Sequence, residues 1–224
     1  MITNKNPRPA HTSDSVVFVF DGRELHILLI ERGVEPYKGW WALPGGFMKM
    51  EETIEECAKR ELREETGISP AYLEQFKVYS AVSRDPRGRV VSVAFFALVR
   101  KSDFNLVAGD DAVKARWFAC DSLPQLAFDH ASIIADARNR LRQVALTSPI
   151  PFNLLDKSFS MSELQRIIEL LTGHSYDRRN FARKMGASGR IEETSEQEAP
   201  GKARNAYTLA RKAFDDDSFW EPKF

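Results

Sequence analysis

Residues 46–68 read Gly46-Phe47-Met48-Lys49-Met50-Glu51-Glu52-Thr53-Ile54-Glu55-Glu56-Cys57-Ala58-Lys59-Arg60-Glu61-Leu62-Arg63-Glu64-Glu65-Thr66-Gly67-Ile68, and the fold turns on this stretch. From residue 51 to 66 it holds no Pro or Gly, and Gly67 then stops it, which predicts a helix over 51–66. Ile54, Cys57, Ala58 and Leu62 recur at spacings of three and four, a single stripe that must face a core. On the polar side Glu61, Glu64 and Glu65 stand at i, i+3 and i+4, so three carboxylates share one face of one turn. Like charges so close repel unless a cation sits among them. A hard ion, Mg²⁺ or Mn²⁺, prefers carboxylate oxygen and is the natural occupant. Arg60 is placed to pair with Glu56 or Glu64 and steady that face. Gly45 and Gly46 let the backbone turn sharply into the helix and approach a phosphate closely. A solvated, salt-bridged surface helix would account for the charges. It would not account for the Gly-Gly entry, the Gly67 stop and the spacings together.

Working outward, β-rich stretches over 15–20 and 24–31 flank Asp21-Gly22, a strong hairpin signal. Beyond the helix, strands are expected over 73–82, 89–99 and 115–118, and a helix over 130–146 with Asp129 as its N-cap. Pro149 and Pro151 mark a boundary, giving domains 1–147 and 148–224. In the second, Ser160-Met161-Ser162-Glu163 has capping-box form, and Leu164, Ile167, Ile168 and Leu171 define a helix face ending at Gly173. A short basic helix over 176–185 buries Phe181 and Met185 and leaves Arg178, Arg179, Arg183 and Lys184 toward solvent. Strands over 190–194 and 206–209 flank a polar loop. The whole is α+β: a mixed sheet with helices, then helix, turn, basic helix and hairpin, which is winged-helix order.

Lys+Arg and Asp+Glu balance at 32 each, so any nucleic-acid surface must be local and not a bulk polycation. Two cysteines, Cys57 and Cys120, are too few for a disulfide framework and have no zinc-like spacing. Residues 1–13 are polar without an apolar core, and no apolar run is long enough for a membrane helix. A cytoplasmic protein is expected.

Gly46, five residues, Glu52, seven residues, then Arg60-Glu61-Leu62-Arg63-Glu64-Glu65-Thr66-Gly67-Ile68 resembles the Nudix box at every defined position. The resemblance implies a Nudix fold over about 15–146 and metal-dependent attack of water on a substituted nucleoside diphosphate. It also implies Glu61, Glu64 and Glu65 as metal ligands and Glu52 as a supporting acid. A metal bridging the diphosphate would neutralise charge and lower the pKa of the attacking water. The general base is either a box glutamate or an acid of a later loop, where Asp110 and Asp111 are candidates. The stretch 83–92, with Arg84, Arg87 and Arg89, resembles a loop of ADP-ribose pyrophosphatases of this superfamily, and these arginines offer bidentate donors for phosphate or ribose. Trp40 and Trp41 can stack on adenine or sit in the core.

The chain as a whole resembles Nudix-related transcriptional regulators, in which a winged-helix domain follows the Nudix domain. Phe128-Asp129-His130, residues 151–155 and Arg179-Asn180-Phe181 carry this likeness. It implies ADP-ribose or a sugar-related nucleotide as signal and a double-stranded DNA operator as partner. Arg178, Arg179, Asn180, Arg183 and Lys184 are the DNA-binding candidates, since Arg reads guanine edges and Asn adenine. Glu192, Glu193, Glu196 and Glu198 in the expected wing oppose generic phosphate binding there. A homodimer fits operator binding, because two recognition helices must lie about 34 Å apart. Some such regulators have decayed boxes; this one is intact, which points to retained hydrolysis. The alternatives are a catalytically silent sensor and a pyrophosphatase whose second domain only dimerises.

Overall fold

The strand β1 (Ala10–Phe20) is buried on both faces from Val16 to Phe20, so it must be covered from both sides. This computed structural model describes residues 8–70, 72–103, 115–194 and 206–210. β1 forms an antiparallel hairpin with β2 (Leu25–Glu31), Phe20 opposite Leu25, and the turn is closed by the Asp21 carboxylate accepting from the Arg23 and Glu24 amides at 2.7 and 2.9 Å. The short strands β3 (Trp41–Ala42) and β4 (Gly45–Phe47) pair with β2 and β1, and α1 (Ile54–Thr66) follows. β5 (Tyr72–Tyr79) and β6 (Val90–Val99) form the next hairpin; β6 lies parallel to β1 from Ala10↔Val90 to Val19↔Val99. β7 (Ala115–Ala119) pairs with the other edge of β2, and α2 (His130–Thr147) crosses the sheet.

Alternation along β1 distributes the core. Val17 points with Leu28, Ala97 and Val99 against Leu62 of α1. Val16, Phe18 and Phe20 point with Phe96 and Leu98 to the other face, against Ile133, Ile134, Ala137 and Leu141 of α2. That second core does not stop at the sheet. It runs through Phe152, Leu154 and Leu155 into α3 (Met161–Thr172) and α4 (Arg178–Ala187), burying Leu164, Ile167, Ile168, Leu171, Phe181 and Met185. A three-stranded sheet, β8 (Phe159–Ser160), β10 (Ala206–Leu209) and β9 (Ile191–Thr194) in that spatial order, completes a winged helix.

Several boundaries differ from expectation for identifiable reasons. α1 begins at Ile54 and not at 51, because Thr53 and Glu56 form the capping box. β1 begins five residues early, since polar Thr12, Ser13 and Asp14 pair with β4 and β6 and lie buried. Asp129 occupies the N-cap position of α2 but makes no capping bond, because Arg84 takes its carboxylate. α4 starts at Arg178, where Asp177 accepts from the Asn180 amide at 2.9 Å. α3 conforms, with the Ser160–Glu163 box at its start and Gly173 left-handed at its end.

The Pro149–Pro151 region is not an exposed linker. Residues Ile150–Leu154 form a 3-10 turn whose Phe152 and Leu154 are buried, Phe152 lying 5.8 Å from the ring of Phe159. Because one core spans both sides of this turn, Phe152→Ala should cost about 3–5 kcal/mol by cavity formation. Differential scanning calorimetry should show one transition at lower temperature in the variant. Two separate transitions in the wild type would mean that the core does not couple the two parts.

Candidate functional site

The site is assembled where β4 lies against β1, with Ser13 opposite Gly46 and Asp14 opposite Gly45. Gly45 has φ +156°, and a Cβ there would fall 2.0 Å from the Ser13 carbonyl oxygen. Only glycine fits. A Cβ on Gly46 would fall 2.3 Å from Oε1 of Glu61, so the bare backbone of β4 makes room for that carboxylate. One turn later, Glu65 accepts from the Gly45 amide at 2.8 Å. Both glycines thus serve the α1 carboxylates directly.

Arg60 organises the acids around it. Its Nε and Nη2 donate to both oxygens of Glu52 at 2.9 and 2.7 Å, and its Nη1 donates to Glu61 at 2.7 Å and Glu64 at 3.0 Å. A further bond, at 3.2 Å, reaches the Phe47 carbonyl on β4. The Glu52 partnership differs from the expected Glu56, whose carboxylate is committed to the Thr53 amide. The Arg60 bonds hold the Glu52 carboxyl down to about 2. Burial, partly offset by the Gly45 amide and reinforced by Glu61 and Asp14, pushes Glu65 up to about 7.

A cation beside Glu65 would favour its charged form against the effect of burial. Carboxylate oxygens are donors that suit a hard divalent ion, so the residues fit the metal that the spacing suggests. Among the described residues only Asp21, Glu24 and His26, at the β1–β2 turn, bring three such ligand atoms within 4.8 Å of one another. The box glutamates are spread instead toward Arg60 and the Gly45 amide, while Asp21 is occupied by two turn amides and His26.

The three loop arginines divide. Arg84 is buried and donates to both oxygens of Asp129 at 3.0 and 2.7 Å and to Asp14 at 3.2 Å. The expectation of an open phosphate donor is corrected here: two carboxylates engage this guanidinium inside the fold. Arg89 is exposed and donates to the Ser80 and Ala81 carbonyls, bracing the loop. Arg87 alone reaches into the site, bonded to Asp85 and stacked 5.1 Å from Phe47 and 5.5 Å from Phe128. Asp110 and Asp111 lie outside the described residues. Trp41 packs edge-on against Phe118 at 4.7 Å beside the core, while Trp40 lies 5.1 Å from Tyr37.

Asp14 was not singled out from the sequence, and His130 was named only in the Phe128-Asp129-His130 likeness, with no part in the site. Asp14 accepts from Ser92 and Arg84, and faces Nε2 of His130 at 3.6 Å. His130 accepts the Leu43 amide at Nδ1, 2.9 Å, which places its proton on Nε2. Burial lowers its pKa and keeps it neutral. Asp14 sits in the polar run His11–Ser15 ahead of the apolar part of β1, so the sequence carried no signal that marks it.

In the winged helix, Arg178, Arg179 and Arg183 of α4 are exposed, and Asn180 and Lys184 are half-buried. Phe181 and Met185 hold the opposite face against the core. Arg183 donates to Asn180 Oδ1 at 2.7 Å, so this pair presents a joined donor surface. Glu192 and Glu193 on β9 are exposed; Glu196 and Glu198 lie outside the described residues. No helix among the described residues is long and apolar enough to cross a membrane.

Comparison with known proteins agrees with this layout. Residues 9–137 match the family model of the NUDIX domain, and residues 151–209 that of the NrtR DNA-binding winged helix domain. An ADPR responsive transcriptional repressor, NtrR, of Acinetobacter baylyi is 36% identical over 97% of this chain and 87% of its own. An ADP-ribose pyrophosphatase of Methanocaldococcus jannaschii is 45% identical over 57% of this chain and 72% of its own. The crystal structure of Shewanella oneidensis NrtR complexed with a 27mer DNA superposes with a TM-score of 0.78 at 32% identity, covering 91% of this chain and 95% of that one.

The two glycines should separate experimentally. Gly45→Ala meets backbone and forces strand separation, so it should cost more than about 2 kcal/mol in thermal or urea unfolding. Gly46→Ala meets only the flexible end of Glu61. It should stay within about 1 kcal/mol of the wild type yet weaken Mn²⁺ binding, read by electron paramagnetic resonance, by about tenfold or more. Unaltered Mn²⁺ binding in Gly46→Ala would remove Glu61 from the ligand set.

Proposed function

The chain belongs to the Nudix family and carries the NrtR type of winged-helix DNA-binding domain; on that premise we propose that it is a transcriptional regulator that binds ADP-ribose and also hydrolyses it to AMP and ribose 5-phosphate. The observation that carries the enzymatic half is the complete box, with Gly45 and Gly46 shaped around Glu65 and Glu61. Glu61, Glu64 and Glu65 would hold Mg²⁺ or Mn²⁺, which when bound supplies charge neutralisation and an acidified water. Arg60 orients three glutamates at once, Glu52, Glu61 and Glu64. Gly45 and Gly46 give the diphosphate close access to backbone, and Arg87 supplies a planar donor from the opposite loop. A box glutamate or Asp111 takes the proton from water. Full-length similarity to a named repressor favours a second reading, a sensor that releases its ligand unchanged.

The DNA-binding half rests on the exposed face of α4. Arg178, Arg179, Asn180, Arg183 and Lys184 would meet a palindromic operator, with two copies of the chain setting their α4 helices about 34 Å apart. The proposed division is 1–147 and 148–224, with a buried junction.

Glu64 is 55% exposed at its side chain, and among the described residues it accepts a side-chain hydrogen bond from Arg60 alone. Glu64→Gln should therefore keep the melting temperature and abolish or greatly reduce ADP-ribose turnover with either metal, measured by release of AMP. Unchanged turnover at limiting metal would exclude Glu64 as a ligand, and a wild type that cleaves no nucleoside diphosphate derivative would leave the sensor reading.

Arg179→Ala and Arg183→Ala should weaken operator binding while turnover stays near wild type. A guanine-reading arginine should cost about 1–3 kcal/mol at one base, whereas a phosphate contact should weaken all sequences and flatten the salt dependence. Fluorescence anisotropy across salt concentrations distinguishes them. Wild-type affinity no higher for operator than for random DNA would leave the second domain a dimerising role.

A further inference from the structure

β1 passes the glutamate-rich site at Asp14 and ends at Phe20, about 20 Å further along the strand. There a cavity of about 320 Å³ opens between the two domains. Its wall is drawn from separate stretches: the end of β1 with its turn, at Phe20 and Asp21; the 3-10 turn Lys101–Asp103 after β6; the junction at 154–159; and Glu163 in the first turn of α3. None of these residues belongs to the glutamate-rich site or to the exposed face of α4. The cavity is thus separate from both proposed sites.

Phe20, Leu154, Leu155 and Phe159 supply the apolar part of the wall and are otherwise buried in the core. The polar part is acidic. Asp21, Asp156 and Glu163 stand against one cation, Lys101, whose Nζ donates to the Asp21 carbonyl at 3.1 Å. The Asp21 carboxylate is taken by the turn amides and His26. Asp156 spends only Oδ1, on the Ser102 amide at 3.1 Å, and Glu163 only Oε2, on the Ser160 amide and hydroxyl at 2.8 and 2.7 Å. Among the described residues no hydrogen bond reaches Asp156 Oδ2, Glu163 Oε1 or the hydroxyl of Ser158, which also lines the cavity. That leaves three open acceptors, all from the second domain, beside an apolar wall that both domains share. An anion would meet two carboxylates there. A bare divalent ion would gain nothing from Phe20 and Phe159. A primary ammonium carries three N–H donors for the three acceptors, and its charge-assisted bonds offset its loss of water. A cavity at the lower end of the usual range for ligand sites suits a short apolar body behind that head.

We propose that this cavity binds a small primary amine, its ammonium donating to Asp156, Ser158 and Glu163 and its hydrocarbon body lying against Phe20, Leu155 and Phe159. The site stands apart from the nucleotide reading and needs no part of it. Such a ligand touches both domains at once, at the seam where Arg166 already donates to the Arg23 carbonyl at 2.9 Å. It therefore binds the docked arrangement of the two domains and favours it by mass action.

The test is isothermal titration of the full chain at low ionic strength with three probes that share a five-carbon body: pentylammonium, 1-pentanol and pentanoate. Pentylammonium should bind saturably, at least about tenfold more tightly than pentanol, and pentanoate should not bind. Asp156→Asn keeps an acceptor for the Ser102 amide, and Glu163→Gln keeps the capping box of α3, so both should fold. Each should weaken pentylammonium by about tenfold. Ser158→Phe fills the cavity and leaves both carboxylates in place; it should abolish binding, and full-strength binding in this variant would put the amine on surface charge and overturn the site. Should Ser158→Phe not fold, the two isosteric variants decide alone. Affinity equal to wild type in both of them, equal affinity for pentanol or pentanoate, or a wild type that binds none of the three probes would each overturn the proposal.

Discussion

The antiparallel pairing of Gly45–Phe47 with Thr12–Asp14 is the constraint on which the site depends. It brings the entrance of α1 against the central strand, so carboxylates on a local helix turn gain neighbours from a distant part of the chain. Glu65 meets a backbone amide there and Glu61 fills the space above Gly46. On the far face of the same strand, Asp14 ties Arg84 and Ser92 to the start of α2. One strand therefore carries the glutamate-rich helix on one side and the arginine-rich loop on the other. A side chain at Gly45 would loosen both.

What could be read from the sequence divides along the same line. The glutamate triad was legible because its geometry is set within one helical turn, and a spacing of three and four permits no other arrangement. The caps of α3 and the Gly67 stop were legible for the same reason. Arg84 was not, since a loop arginine looks free until strand β1, 70 residues earlier, and α2, 45 residues later, deliver Asp14 and Asp129 to it. Asp129 has the right chemistry for an N-cap, yet a charged bidentate bond outcompetes a single amide. The start of β1 was missed because Thr12, Ser13 and Asp14 are poor strand formers, and tertiary pairing overrides that preference.

The two halves are not independent beads on a string. The first domain contacts the winged helix directly: the Arg23 carbonyl of the β1–β2 turn accepts from Arg166 of α3 at 2.9 Å, and after β6 the Ser102 amide donates to Asp156 at 3.1 Å. Beneath these bonds the core continues from Phe18 and Phe20 through Phe152 to Leu164 and Ile168. Close-packed interiors transmit displacement in place of absorbing it. The strand that carries Asp14 leads, through the β1–β2 turn, to the helix α3 that supports α4. Differential ligand affinity for two arrangements of that seam is what coupling would require thermodynamically.

Charge distribution follows from this division of labour. The chain is neutral overall, with 32 positive and 32 negative residues, but they are not mixed evenly. Acids gather on α1, where Arg60 is the cation that holds Glu52, Glu61 and Glu64 together, and bases gather on the exposed face of α4. A nucleotide diphosphate and a DNA backbone are both polyanions, and under the proposed function each would meet a different solution to the same problem. The acids of α1 would hold a cation that in turn attracts phosphate, whereas α4 would supply the cations itself. Exposed guanidiniums on α4 act through water and are screened within about 10 Å at ordinary salt. Under the proposed function, raising the ionic strength would therefore loosen contacts made by α4 with a nucleic-acid backbone.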